Sequence, residues 1–157
     1  MCIIKPEVKI LQDIRELFQI FVRRFGLLNA SCCDCCCEEE VSLVQSHILY
    51  EINRRESPSM QQVAEALGMD ITTFSRQIKN LEQRGLVCKS LDPGDRRVSV
   101  LSLTENGHRV EKSIDDRMRS YIDKILAEMT DFERDMVIKS IQLLNKTIEK
   151  SGCCCLC

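Results

Sequence analysis

Residues 59–85, SMQQVAEALGMDITTFSRQIKNLEQRG, constrain the chain more than any other stretch. Ser59 can cap a helix and Gln62, three residues on, can reach back to it, the reciprocal pair of a capping box. Val63 and Leu67 then share a helical face, and Gly68 suits a left-handed helix end. Asp70 can cap a second helix, in which Ile71, Phe74, Ile78 and Leu81 recur at spacings of three, four and three. The opposite face carries Thr73, Arg76, Lys79, Asn80 and Gln83. Two short helices joined by a tight turn, the second with a polar and basic outer face, make a helix-turn-helix, and that face is the one a major groove admits.

The rest of the chain is read around it. From Glu7 to Phe25, Leu11, Ile14, Phe18, Phe21 and Phe25 predict a helix, widened by Ile10, Leu17 and Val22. Three of the five phenylalanines sit here, so a large surface must cover them, and a partner subunit is the simplest cover. Gly26 and Asn29 can end that helix before the cysteine-rich run of 26–40. Ser42 to Arg55 reads as a helix with Val44, Ile48 and Ile52 inward and His47 near them, ended by Glu56-Ser57-Pro58. After Gly85, Leu86–Leu91 and Val98–Leu103 flank Asp92-Pro93-Gly94-Asp95-Arg96-Arg97, a hairpin with two arginines at its tip. Thr104 caps a helix striped by Ile114, Met118, Ile122, Ile125 and Met129. Thr130 or Asp131 starts a last one with Phe132, Val137, Ile141, Leu144 and Ile148, which resembles a helix–helix seam.

Composition bounds the function. Charged residues make up 29 % and aromatics 4 % of 157 residues, which suits a helical protein with much solvated surface. The net charge of −2 provides no global field for nucleic acid. Between residues 70 and 97, however, the balance is +2, from Arg76, Lys79, Arg84, Lys89, Arg96 and Arg97 against Asp70, Glu82, Asp92 and Asp95. No apolar run suits a secretory leader or a membrane span, so a cytoplasmic protein without a membrane partner is expected. His47 and His108 are the only histidines. They lie far apart, without a nucleophile, a phosphate loop or paired carboxylates, so catalysis is not expected.

The order of elements resembles the MarR family of winged helix-turn-helix regulators. The residues that carry the resemblance are VAEALGMDITTFSRQIKNLEQRGLV (63–87), the wing DPGDRRVSVLSLT (92–104) and LTENG (103–107), within roughly residues 40–150. It implies a mainly α fold with a small β-wing. The expected divisions are an N-terminal dimerisation helix (1–30), a cysteine-rich linker (31–40), a DNA-binding lobe (41–104), C-terminal dimerisation helices (105–150) and a cysteine-rich tail (151–157). It also implies a homodimer, interlocked through its first and last helices, that represses transcription from a pseudo-palindromic operator in double-stranded DNA. Thr72, Thr73, Ser75, Arg76, Lys79 and Asn80 match the groove-facing positions. Arg76 suits a bidentate contact to guanine and Lys79 a phosphate. Arg96 or Arg97 would enter the minor groove, with Asp95 orienting the arginine.

Nine of the 11 cysteines form two clusters, Cys32, Cys33, Cys35, Cys36 and Cys37, and Cys153, Cys154, Cys155 and Cys157. In a reducing compartment such density points to metal or redox chemistry rather than a disulfide framework. Thiolates are the soft ligands shared by zinc, cadmium, copper(I), arsenite and iron–sulfur clusters, and crowded spacings do not choose among them. Asp34 and Glu38–Glu40 flank the first cluster; they disfavour a reactive thiolate but suit a cation. The expectation is a thiolate-bound metal, metalloid or cluster that joins the two clusters and controls DNA affinity. A thiol–disulfide redox sensor is the alternative, and a cysteine-rich metal-buffering protein is the alternative of another class. Cys88, in a wing strand, is expected to be a small core residue, and Cys2 a stray extra ligand.

Overall fold

The computed structural model describes residues 6–25 and 41–151. Its elements are α1 (Pro6–Arg24), α2 (Leu43–Asn53), α3 (Met60–Ala66), α4 (Ile71–Gln83), β1 (Val87–Leu91), β2 (Ser99–Leu103), α5 (Glu105–Ala127) and α6 (Asp131–Ser151). The expectation of a mainly helical chain with one small hairpin holds. The chain divides into two units, one ending at Leu43 and one running on from Val44.

In the first unit, α1 forms where the apolar periodicity predicts. Ile14, Leu17, Phe18 and Phe21 on it are exposed, so this part of the stripe is not buried among the described residues. The rings of Phe21 and Phe25 meet at 5.3 Å in a tilted pair. The expected helix end at Gly26 and Asn29 lies outside the described residues.

The second unit is built on capped helices. The Ser59 hydroxyl accepts from the Gln62 N–H at 3.2 Å while Gln62 Oε1 accepts from the Ser59 N–H at 2.8 Å, completing the capping box. Gly68, at φ +61°, takes the left-handed turn that separates α3 from α4. Phe74, Ile78 and Leu81 of α4 are fully buried with Ile48 and Leu49 of α2 and Val63 of α3. Each such side chain contributes about 1.5–3 kcal/mol through burial.

Three apolar positions depart from expectation. Val44 and Ile71 are exposed. On α2, Ile48 and Ile52 are buried as predicted, Gln45 and Leu49 join them in place of Val44, and His47 is exposed. Ile71 sits in the first turn of α4, ahead of the point where that helix meets the core. Cys88 is also exposed, because only Val87 of β1 turns inward.

The hairpin is antiparallel, with Val87 opposite Leu103 and Leu91 opposite Ser99. Its root joins the helix-turn-helix: the Leu101 N–H donates to the Pro58 carbonyl at 2.9 Å, and Ser59 bridges Val100. The wing therefore leaves the same core that holds α3 and α4.

Candidate nucleic-acid interface

Helix α4 begins at Asp70, whose Oδ1 accepts from the Thr73 N–H at 2.9 Å. Hydrogen bonds from the Thr73 hydroxyl and backbone amide hold the Asp70 carboxyl below its ordinary range. The Thr73 side chain thus serves the cap as well as the outer surface. With Phe74, Ile78 and Leu81 turned into the core, the 3.6-residue period leaves Thr72, Thr73, Ser75, Arg76, Lys79 and Asn80 exposed. No hydrogen bond or ion pair among the described residues holds the side chains of Thr72, Ser75, Arg76 or Lys79. Asn80 differs, since its Oδ1 accepts from Gln45 Nε2 of α2 at 3.0 Å.

The wing tip is an ordered turn rather than a loose loop. Asp92 Oδ1 accepts from the Gly94 N–H at 2.7 Å and the Asp95 N–H at 3.0 Å. The Val98 N–H donates to the Asp95 carbonyl and the Asp92 N–H to the Val98 carbonyl, each at 2.9 Å. Asp95 holds Arg97 side-on, with Nε to Oδ1 and Nη2 to Oδ2 both at 3.1 Å. The hydrogen bonds from Arg97 keep the Asp95 carboxyl below its ordinary range and raise the guanidinium further. Asp95 therefore orients Arg97, while Arg96 is exposed with no ion pair among the described residues. Such a carboxylate–arginine fork limits the rotamers of a side chain that is otherwise almost wholly in water.

One unit thus carries the α4 face with Arg76 and Lys79, and a wing with Arg96 and Arg97. Sequence reading missed Gln45, a polar side chain within the apolar stripe of α2 that also accepts from Arg84 Nη1 at 3.2 Å. Its sequence signal was a polar residue at a periodic inward position. The cysteines assigned to a thiolate site, Cys32, Cys33, Cys35, Cys36, Cys37, Cys153, Cys154, Cys155 and Cys157, lie outside the described residues, as does Cys2. Among the described residues no group of three or more His, Cys, Asp or Glu is placed to hold a metal ion, and no helix is long and apolar enough to cross a membrane.

Known proteins share this fold. The uncharacterized HTH-type transcriptional regulator YxaD of Bacillus subtilis (strain 168) is 28 % identical over 99 residues, covering 63 % of this chain and 69 % of that protein. The fold is similar to that of Streptococcus pneumoniae FabT, solved in complex with DNA, with a TM-score of 0.81 at 21 % identity over 89 % of this chain and 98 % of FabT. It is also similar to Lactococcus lactis ZitR, a zinc-responsive MarR family member, with a TM-score of 0.62 at 22 % identity over 88 % and 99 % of the two chains. Residues 41–99, from α2 through the wing tip, match the model of the MarR family. Over residues 41–99 the chain is thus similar to the MarR family, and its fold is that of the winged helix-turn-helix transcriptional regulators solved in that family.

Proposed function

We propose that this regulator binds a pseudo-palindromic operator as a homodimer and represses transcription from it. In this reading α4 enters the major groove and the wing arginines meet the flanking minor groove. The observation that carries it is the joint exposure of Arg76, Lys79, Arg96 and Arg97 on a single unit whose net charge elsewhere is unhelpful to DNA. An α-helix with a polar outer face fits the width of the major groove, and a narrow minor groove attracts arginine. FabT, which has this fold, was solved with DNA bound. Members of this family act through DNA rather than by catalysis.

The proposed input is a thiophilic metal, metalloid or metal cluster held by Cys32–Cys37 and Cys153–Cys157. Density of soft ligands beside Asp34 and Glu38–Glu40 supports it, and the related fold of ZitR belongs to a zinc-responsive regulator. Zinc, cadmium, copper(I) and arsenite are the candidate species; filling the site would release DNA.

Two measurements test this. Duplexes enriched from a random pool by the purified protein should bind it with salt-dependent affinity. Arg76→Ala should then lose about 1–3 kcal/mol of base discrimination. Lys79→Ala should lower affinity across sequences and reduce the salt slope by about one. Failure to enrich any duplex would remove the DNA reading. Anaerobic titration of the complex with each thiophilic ion should dissociate it, and serine at Cys32–Cys37 should abolish that response. Release by peroxide alone, reversed by a thiol reductant, would instead establish redox sensing.

A further inference from the structure

Gln45 makes a hydrogen-bonded chain whose direction is set at one end. Arg84 sits at the C-terminal end of α4, and a guanidinium only donates hydrogen bonds. Its Nη1 reaches Gln45 Oε1 at 3.2 Å, which fixes that atom as the acceptor and Nε2 as the donor. Nε2 has two hydrogens and two acceptors, Asn80 Oδ1 at 3.0 Å and Gln77 Oε1 at 3.3 Å. An isolated amide pair has no preferred direction, since either end can flip. Here the arginine breaks that symmetry. Gln45 is only 8 % exposed, so a flip would strand its polar atoms against groups of the wrong kind.

The consequence falls on the outer surface of α4. With their oxygens turned to Gln45, Asn80 and Gln77 present their NH2 groups first to a molecule docked on the helix. Donors suit phosphate oxygens and the N7, O6 and O4 acceptors of base edges; they are mismatched to the amino groups of cytosine and adenine.

We propose that Gln45 is a positioning residue for DNA recognition, which acts through Asn80 and Gln77 by holding these two amides of the recognition helix with their NH2 groups outward. The inference rests on the reading of α4 as the recognition helix. It adds a residue that touches no DNA yet decides what the helix offers to it.

A mutant cycle on the full chain tests it, with a duplex enriched from a random pool by the wild-type protein as the probe. Asn80→Ala should weaken wild-type binding about tenfold, the loss of one well-made hydrogen bond. Gln45→Glu keeps the shape and the Arg84 contact but accepts at both oxygens, so Asn80 and Gln77 must flip and turn their carbonyls outward. In that background Asn80→Ala should cost nothing or restore binding, because it removes a repelling carbonyl. The added charge acts in both backgrounds and cancels from the cycle. Gln45→Met removes the donor without adding charge, and there the Asn80→Ala loss should fall to about threefold as the amide turns freely. Circular dichroism melts establish that each variant is folded, and Gln45→Met carries the test where Gln45→Glu is not. Equal Asn80→Ala losses in all folded backgrounds would overturn the inference while leaving DNA recognition intact. A wild-type protein that enriches no duplex would remove both.

Discussion

Among the described residues Glu111 is the one buried carboxylate, at 7 % exposure. It sits on α5 and accepts a hydrogen bond from Asn53 Nδ2 of α2 at 2.8 Å. Burial pushes its pKa up and Asp115 adds to the shift, while His108 and Arg119 oppose it. In the interval above the ordinary glutamate range the folded chain keeps a proton that the unfolded chain has released. Stability from this group is therefore greatest below that range and falls as pH rises through the raised native value. Glu111→Gln retains the acceptor for Asn53 and removes the charge. Urea unfolding should find the variant more stable than wild type by roughly 1 kcal/mol near neutral pH. The gap should close as pH falls below the ordinary glutamate range, where the wild-type carboxyl is protonated in both states. A variant less stable at neutral pH would show that the charged form is the one the fold favours.

At the scale of elements, the join between wing and α5 depends on Leu103-Thr104-Glu105-Asn106-Gly107. The Thr104 hydroxyl donates to the Gly85 carbonyl at 2.6 Å and accepts from the Gly107 N–H at 3.0 Å, so one side chain caps α5 and ties it to the end of the helix-turn-helix. The Thr104 N–H adds a bond to the Leu86 carbonyl at 3.1 Å. Gly107 lies so close to that same carbonyl that a Cβ would overlap the oxygen. Gly107→Ala should destabilise by about 1–3 kcal/mol, since backbone rather than a flexible side chain stands in the way. Thermal unfolding should move down accordingly, and an unchanged melting temperature would mean that α5 can shift at no cost. Much of this architecture was legible: Ser59, Asp70 and Thr104 announce helix starts because short side-chain oxygens satisfy local amides. The Thr104 cap was expected, but the need for glycine at 107 was not, because it arises from Leu86, 21 positions away. The same limit explains Val44, Ile71 and Cys88, whose apolar character predicted burial. Periodicity gives a face, but which neighbour covers that face is settled by tertiary packing. Conversely Gln45, read from type alone, would be solvated, and the polar edge of α4 keeps it inside.

At the scale of the whole molecule, the sequence announced more apolar surface than one chain covers. No residue of α6 is buried; Phe132 is 75 % and Leu143 67 % exposed, and Met136, Ile141, Leu144 and Ile148 are exposed beside them. Phe132, Met136, Lys139, Ser140 and Leu143 line a shallow groove along that helix with Asp135. Isolated helices draw little stability from propensity alone, and contiguous exposed apolar patches mark interaction surfaces. A second copy supplies the cover in the proposed dimer, and it also sets the distance between the two recognition helices. Sedimentation should therefore find a dimer, and Leu143→Glu, which sets a charge on the exposed stripe, should shift it to monomer. Linking two half-site contacts raises affinity by about 10²–10⁴ over a single one, so the monomer should lose binding to a full operator by that factor. Its affinity for an isolated half-site should change little, because the α4 face and the wing are built within one unit. A variant that remains dimeric would exclude this stripe as the interface. A monomer that binds the full operator as tightly as wild type would instead break the link between dimerisation and recognition, since half-site spacing could then no longer be what the operator's symmetry reports.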